Sequence, residues 1–417
     1  MGSIRQIAGT GVYMKALLEP YLSRDRCKNI FVELVKVPSP QTDLLEAEPQ
    51  LRRFIETALE PHLRDIGFEA IRYDGMGNLI AEMGSNRNGR SLMLIAHAMN
   101  QPPNTMPDPY DGNVVDGAPY GLPGEVVRGK GASEQKSTVA AMLHALEAVR
   151  DAKVPINGKL YFICCVSGET GRIEAIQSVV EGEGVRADMA FVYGNHLMLQ
   201  IGNRGRVDVA ITVHGQACHS SRPHEGCNAV TGATEVIHLL NSEISQERSH
   251  PQLGRATLTV NGLHSSPRST HTVQGRVDIH LDQRLLPGDD PDAATEEIRK
   301  VAMKVDGMTD PVSGKPYRIE VTQGAYMYPS LVTAESPAVI QLNKAFMAVL
   351  GHEPETMYGQ SAFDQGYLNH VGISTVNFGS GEQAFAHTDD DIASVERTFD
   401  AARVYAWLVA DYLSDNA

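Results

Sequence analysis

Between residues 206 and 326 the chain reads RVDVAITVHG (206–215), NAVTGATEVIHLLNSEI (228–244), ATLTVNGLH (256–264), GRVDIHLDQRLL (275–286), DAATEEIRKVAMKV (292–305) and YRIEVTQGAY (317–326). The first and fourth stretches alternate apolar and polar side chains, as a strand with one solvated face does. The second and fifth place their apolar residues at helical spacing. Strand, helix, strand, strand, helix, strand is the order of a split βαβ, ferredoxin-like unit. These residues therefore predict a small α+β domain.

The flanking sequence has another rhythm. GNLIAEM (77–83), SLMLIAHAM (91–99), KLYFICCVS (159–167), MAFVYG (189–194) and ISTVNFG (373–379) are apolar runs of strand length. Such runs suit strands buried on both faces. Between them, STVAAMLHALEAVRDA (137–152), IEAIQSVVEG (173–182) and ESPAVIQLNKAFMAVL (335–350) have helical periodicity, and a last helix ends the chain. Alternating strands and helices predict a doubly wound α/β domain. Residues 22–60 read as helical, with Thr42 or Asp43 as cap. The 417 residues exceed one compact core. The expected division is 1–204 and 328–417 for an α/β catalytic domain, with 205–327 inserted as a lid. Gln101–Arg128 reads as a Pro- and Gly-rich loop, and Pro102, Pro103, Tyr110 and Tyr120 suggest the wall of an aromatic pocket.

Composition narrows the partners. A formal net charge of −15 excludes nucleic acid, because no basic cluster exists to neutralise phosphates. No apolar run is long enough to span a bilayer. The first residues lack a signal peptide's apolar core and cleavage site. The five cysteines (Cys27, Cys164, Cys165, Cys218 and Cys227) form no CxxC pair, which suggests neither a zinc ribbon nor a disulfide framework. A reduced, cytoplasmic protein is expected.

Ligands of open α/β sheets collect at the C-terminal ends of strands. Here the predicted strands end at His97, at Glu169 and at Asn195-His196. Glu134 precedes a helix, and His387 lies in AFAHTDDD (384–391). Singly, each has an ordinary structural reading as a satisfied histidine or a turn carboxylate. Together, imidazoles and carboxylates at one sheet edge are what a divalent metal needs.

The order of motifs over nearly the whole chain resembles the M20 family, which includes aminoacylases, carboxypeptidase G and succinyl-diaminopimelate desuccinylase. The family's His-x-Asp looks like His97-Ala98-Met99. Its Gly-x-x-Asp-x-Lys looks like Gly131 through Glu134 to Lys136, and its Glu-Glu-x-Gly looks like Gly168-Glu169-Thr170-Gly171. Its His-Ser-x-x-Pro-x-x-Gly-x-Asn-Ala looks like His219-Ser220-Ser221-Arg222-Pro223 with Gly226-Cys227-Asn228-Ala229, and its C-terminal His-Thr-x-Asp looks like His387-Thr388-Asp389-Asp390. The resemblance implies a zinc-exopeptidase-like mixed sheet and a lid that dimerises. It implies metal ligands at His97, Glu134, Glu169 and His387, with His196 in place of a carboxylate that is missing from this strand. It further implies a carbonyl-polarising His219 acting in a partner subunit, and substrate contacts from Arg284, Asn228 and His271.

Three departures stand out. The Asp that orients the first histidine is Met99. The family's general base is the first Glu of the pair, and that position is Gly168. No carboxylate lies near Gly194–His196. The expectation is one divalent ion, Mn or Zn, at Glu134, Glu169 and His387, with a two-ion site as the alternative. Glu134 or Glu169 would take over the base. The expected reaction is hydrolysis of a C–N bond in a small carboxylate-bearing molecule. One form would be deamination of an aromatic amino acid-like compound, as in 5-nitroanthranilate aminohydrolase. The alternatives are an N-acyl amino acid amidohydrolase or peptidase, and a catalytically inactive binding protein.

Overall fold

The computed structural model describes residues 13–414. The chain forms two compact units. One comprises residues 13–201, 332–357 and 368–414, and the other comprises 202–331 and 358–367. Tyr358–Tyr367, which the sequence reading assigns to the catalytic domain, groups with the inserted unit. Tyr358 packs there on Leu253, Ala256 and Leu286.

The larger unit is built on β1 (Ala70–Tyr73), β2 (Leu79–Met83), β3 (Ser91–His97), β4 (Lys159–Cys165) and β5 (Met189–Val192). The strand Ser374–Asn377 joins the same sheet. Spatial order is β1-β2-β4-β3-β5 and then Ser374–Asn377. The contacts β3–β4, β3–β5 and β5 with Ser374–Asn377 are parallel, and β1 and β2 run antiparallel. The apolar runs are thus buried on both faces. Helices α1 (Arg24–Val35), α2 (Ser137–Asp151) and Val395–Leu413 pack against one another.

The sequence reading of one helix over 22–60 is corrected. α1 ends at Val35, and a new helix begins at Pro49. Pro38 and Pro40 each lack an N–H and restrict the residue before them. The true cap is Glu48, whose side chain accepts from Gln50 N, while Thr42 Oγ1 donates to Glu48. The presumed loop also has structure. Asn113–Asp116 and Glu125–Arg128 pair with each other, and the latter with Ile392–Ser394. Tyr120 packs edge-on against Phe385 beside Leu122, Val126 and Ile392. It belongs to a small core.

One buried charge ties α1 to α2. Glu147 receives Arg26 Nη2 at 2.5 Å and Nε at 3.1 Å, with His144 Nδ1 at 3.3 Å and His62 Nδ1 at 3.7 Å. Burial alone would raise its pKa. The hydrogen bonds from His144, His62 and Arg26 outweigh it and hold Glu147 well below the usual range. Glu147→Ala is expected to cost about 1–3 kcal/mol in thermal melts, because it leaves the buried His144 Nδ1 without its partner. A depressed carboxylate stabilises the fold above its unfolded pKa of about 4.3, and the benefit disappears as pH falls through the folded value. The gap between wild type and variant should therefore close in acid.

The inserted unit contains β6 (Gly205–His214), α3 (Ala229–Glu243), β7 (Leu258–Ser266), β8 (Arg276–Leu285), α4 (Pro291–Ala302) and β9 (Arg318–Met327). Its antiparallel sheet runs β7-β8-β6-β9. This is the arrangement the alternating segments imply. The inward residues of β6, Val207, Val209, Ile211 and Val213, are buried with Ala233, Val236 and Leu240 of α3. Among the described residues no helix is long and apolar enough to cross a membrane.

Candidate metal centre

Parallel register sets the first part of the site. His97, the last residue of β3, lies opposite Cys165, the last of β4, and Ala98 N donates to Cys165 O at 2.8 Å. The chain beyond β4 thus brings Gly168 and Glu169 beside the end of β3. Glu134 comes from the turn Ala132–Lys136 that opens α2. That turn is pinned from far along the chain: the buried carboxylate of Asp391 accepts from Gly131 N and Ser133 N, both at 2.8 Å. Gly131 sits at φ +84°, a region that disfavours a side chain. His387 also has a left-handed backbone, φ +63°, and Thr388 O after it accepts from the buried Lys130 ammonium.

These elements bring three predicted ligands together. His387 Nε2 lies 2.7 Å from Glu134 Oε1 and 3.6 Å from Glu169 Oε2. One donor atom from each of the three falls within 4.8 Å of the others. Gln101 Nε2 donates to Glu169 Oε2 at 2.7 Å. Burial pushes the Glu134 carboxyl up to about 7, opposed by its hydrogen bond to Glu169 and assisted by Asp391. Burial, then the charge of Glu134, also raises Glu169. Two largely buried carboxylates facing an imidazole form a donor set that a divalent cation could occupy. Nitrogen and oxygen donors of this kind suit Zn or Mn.

His97 and His196 lie outside that group of three. His97 is 2% exposed, and its Nδ1 has no hydrogen-bond partner. The ring stands edge-on to Tyr193 at 4.5 Å and 78°. Met99, where the family's orienting Asp would be, is buried in the hydrophobic core. His196, at φ +60°, has Nδ1 3.1 Å from Glu382 Oε2. Glu382 is 1% exposed, and Arg397 Nη1 donates to both its oxygens at 2.7 and 2.6 Å. This carboxylate fixes one ring nitrogen and leaves Nε2 for another ligand, the arrangement that orients histidines in metal and catalytic sites.

Sequence reasoning missed Gln101, Glu382, Asp391 and Arg397. Only Asp391 had a signal, its place in the Asp-rich run after His387.

The lid residues lie in the second unit. His219 is exposed on a two-residue strand that pairs with Thr272–Val273, and its Nδ1 is 2.8 Å from Ser221 Oγ. His271, at φ +58°, accepts from Ser220 N through its carbonyl, so one small ladder holds both histidines. Arg284 directs Nε and Nη2 at Asp282, at 2.8 and 3.1 Å. Asn228 caps α3 by accepting from Val230 N.

Residues 201–308 match the model of the peptidase dimerisation domain of M20 enzymes. The uncharacterised protein YgeY of Escherichia coli is 24% identical over 398 residues, covering 92% of this chain and 93% of that one. An acetylornithine deacetylase of Aliivibrio salmonicida is 26% identical over 328 residues, 76% of this chain and 79% of the relative. An M20 family metallo-carboxypeptidase from Sulfolobus solfataricus superposes with a TM-score of 0.69 at 17% identity, covering 92% of this chain and 98% of that one. The chain carries an M20 dimerisation domain and is similar to M20 proteins along most of its length. These likenesses support a metal-dependent hydrolase of the amidohydrolase class. Set against the family motifs named above, Met99, Gly168 and the Asn195-His196 turn depart, while the donors Glu134, Glu169 and His387 lie together.

Proposed function

We propose that the chain hydrolyses an amide-type C–N bond in a small carboxylate-bearing substrate, using one divalent ion per subunit held by Glu134, Glu169 and His387. The convergence of these three donors carries the reading. Bound there, Zn or Mn would polarise the scissile carbonyl and lower the pKa of water to about 7. The chain's own residues handle the proton. A carboxylate oxygen of Glu134 or Glu169 left off the ion takes up the proton that water releases, with Gln101 fixing one Glu169 oxygen.

The dimerisation domain supports a homodimer, in which His219 is assigned to polarise the carbonyl of a substrate in the neighbouring subunit. Arg284 is the assigned clamp for the substrate carboxylate, by exchanging Asp282 for it; the guanidinium fork favours such bidentate partners. His271 and Asn228 complete the assigned contacts. The relative named as a deacetylase favours N-acyl amino acids over the deamination of aromatic amino acids.

The test is a panel of N-acetyl and N-succinyl amino acids and aminoaromatic acids, assayed with Mn or Zn, with carboxylate and ammonia release scored separately. N-acyl cleavage is the expected result. Ammonia release from the aromatic compounds alone would replace this substrate class with ring deamination. Failure to bind either metal would remove the enzyme reading.

A further inference from the structure

Gly168 is a glycine for reasons of space. Its backbone is not in the left-handed region, so any residue could adopt its conformation. Yet a Cβ there would fall 2.2 Å from His97 Nδ1, 2.4 Å from Cγ and 2.6 Å from Cε1. The His97 imidazole occupies the volume that a side chain at 168 needs. The ring is shut in on another side by Tyr193, and it lies outside the group of donors that Glu134, Glu169 and His387 form. No hydrogen bond holds the Nδ1 edge of the ring, so the space left at Gly168 is what accommodates it.

We infer that Gly168 sets the number of metal ions: it opens a slot that draws His97 away from the cluster and limits the site to one ion. This rests on the proposed one-ion site and adds its cause. The side chain missing at 168 and the displaced histidine are one steric event. Any side chain at 168 turns His97 out toward the carboxylates, where it becomes a ligand for a second ion.

Two measurements test this. The first is a melting cycle on ion-free Gly168→Ala, His97→Ala and the double variant. Overpacking a filled site is destabilising. Gly168→Ala should lower Tm by ~5 °C when His97 is present and far less when it is alanine. If Gly168→Ala alone fails to fold, the double variant, with its space restored, should fold. Equal drops in both backgrounds, or a double variant that also fails to fold, overturn the steric pairing. The second measurement is metal content by mass spectrometry after equilibration with Zn or Mn. The expected result is one ion per subunit in the wild type and more than one in Gly168→Ala. A Gly168→Ala protein that stays at one ion overturns the inference while the one-ion reading stands. Two ions in the wild type overturn both. No ion in the wild type overturns the proposed function, and the inference about ion number with it; the melting cycle then still reports whether residues 97 and 168 share one space.

Discussion

His387→Ala should abolish metal retention and cut kcat/KM by about 1,000-fold, the equivalent of several kcal/mol of lost metal assistance. His387 is the single nitrogen donor of the cluster and its most exposed member. Its removal leaves two buried carboxylates facing each other across 4.8 Å or less. Without the imidazole they would keep a proton between them in preference to an ion. The fold should survive, because the side chain is 55% exposed and packs against no core. Metal content after gel filtration, turnover and a melting curve measured together separate loss of the ion from loss of structure. A variant that keeps both its ion and its turnover would place the metal elsewhere.

Metal affinity should climb steeply with pH. In the ion-free protein the Glu134 carboxyl lies at about 7 and Glu169 is shifted the same way. Both must be ionised to act as ligands, so below about pH 7 protons compete with the metal. Each competing proton weakens apparent affinity about tenfold per pH unit on the acid side. With one such proton the dissociation constant should rise ~16-fold from about pH 7 to about pH 5.5. Titration calorimetry in two buffers of different ionisation enthalpy should show proton release on binding near pH 6 and little above pH 9. An affinity that stays flat across this range would mean that neither carboxylate receives the ion.

The two kinds of strand were legible in the sequence for different reasons. β6 and β8 alternate because one face of their sheet is solvated, and β3 and β4 are continuous because both faces are buried. Glu134, Glu169 and His387 could be singled out because each sits at an element's end, beside turn residues. The break before Pro49 was harder to see, since the apolar spacing of residues 22–60 suits a helix on either side of it. The short strands Asn113–Asp116 and Glu125–Arg128 were hidden because their third partner, Ile392–Ser394, comes from far along the chain. The contact of His97 with Gly168 had no signal at all. A glycine chosen for space looks in sequence like a glycine chosen for a turn, and only the position of the neighbouring ring tells them apart. The bond between His196 and Glu382 was hidden in the same way, by the left-handed backbone that swings the imidazole round.

Asp391 holds the turn that carries Glu134, and His387 lies four residues before it. The cluster is therefore assembled from a piece of chain near residue 134, another near 169 and a third near 387. A nascent chain that has not yet reached residue 387 has both carboxylates and no imidazole, and the turn beneath Glu134 still lacks its anchor. The proposed site would therefore be complete only once residues 387–391 have emerged and folded back on the turn at 131–133.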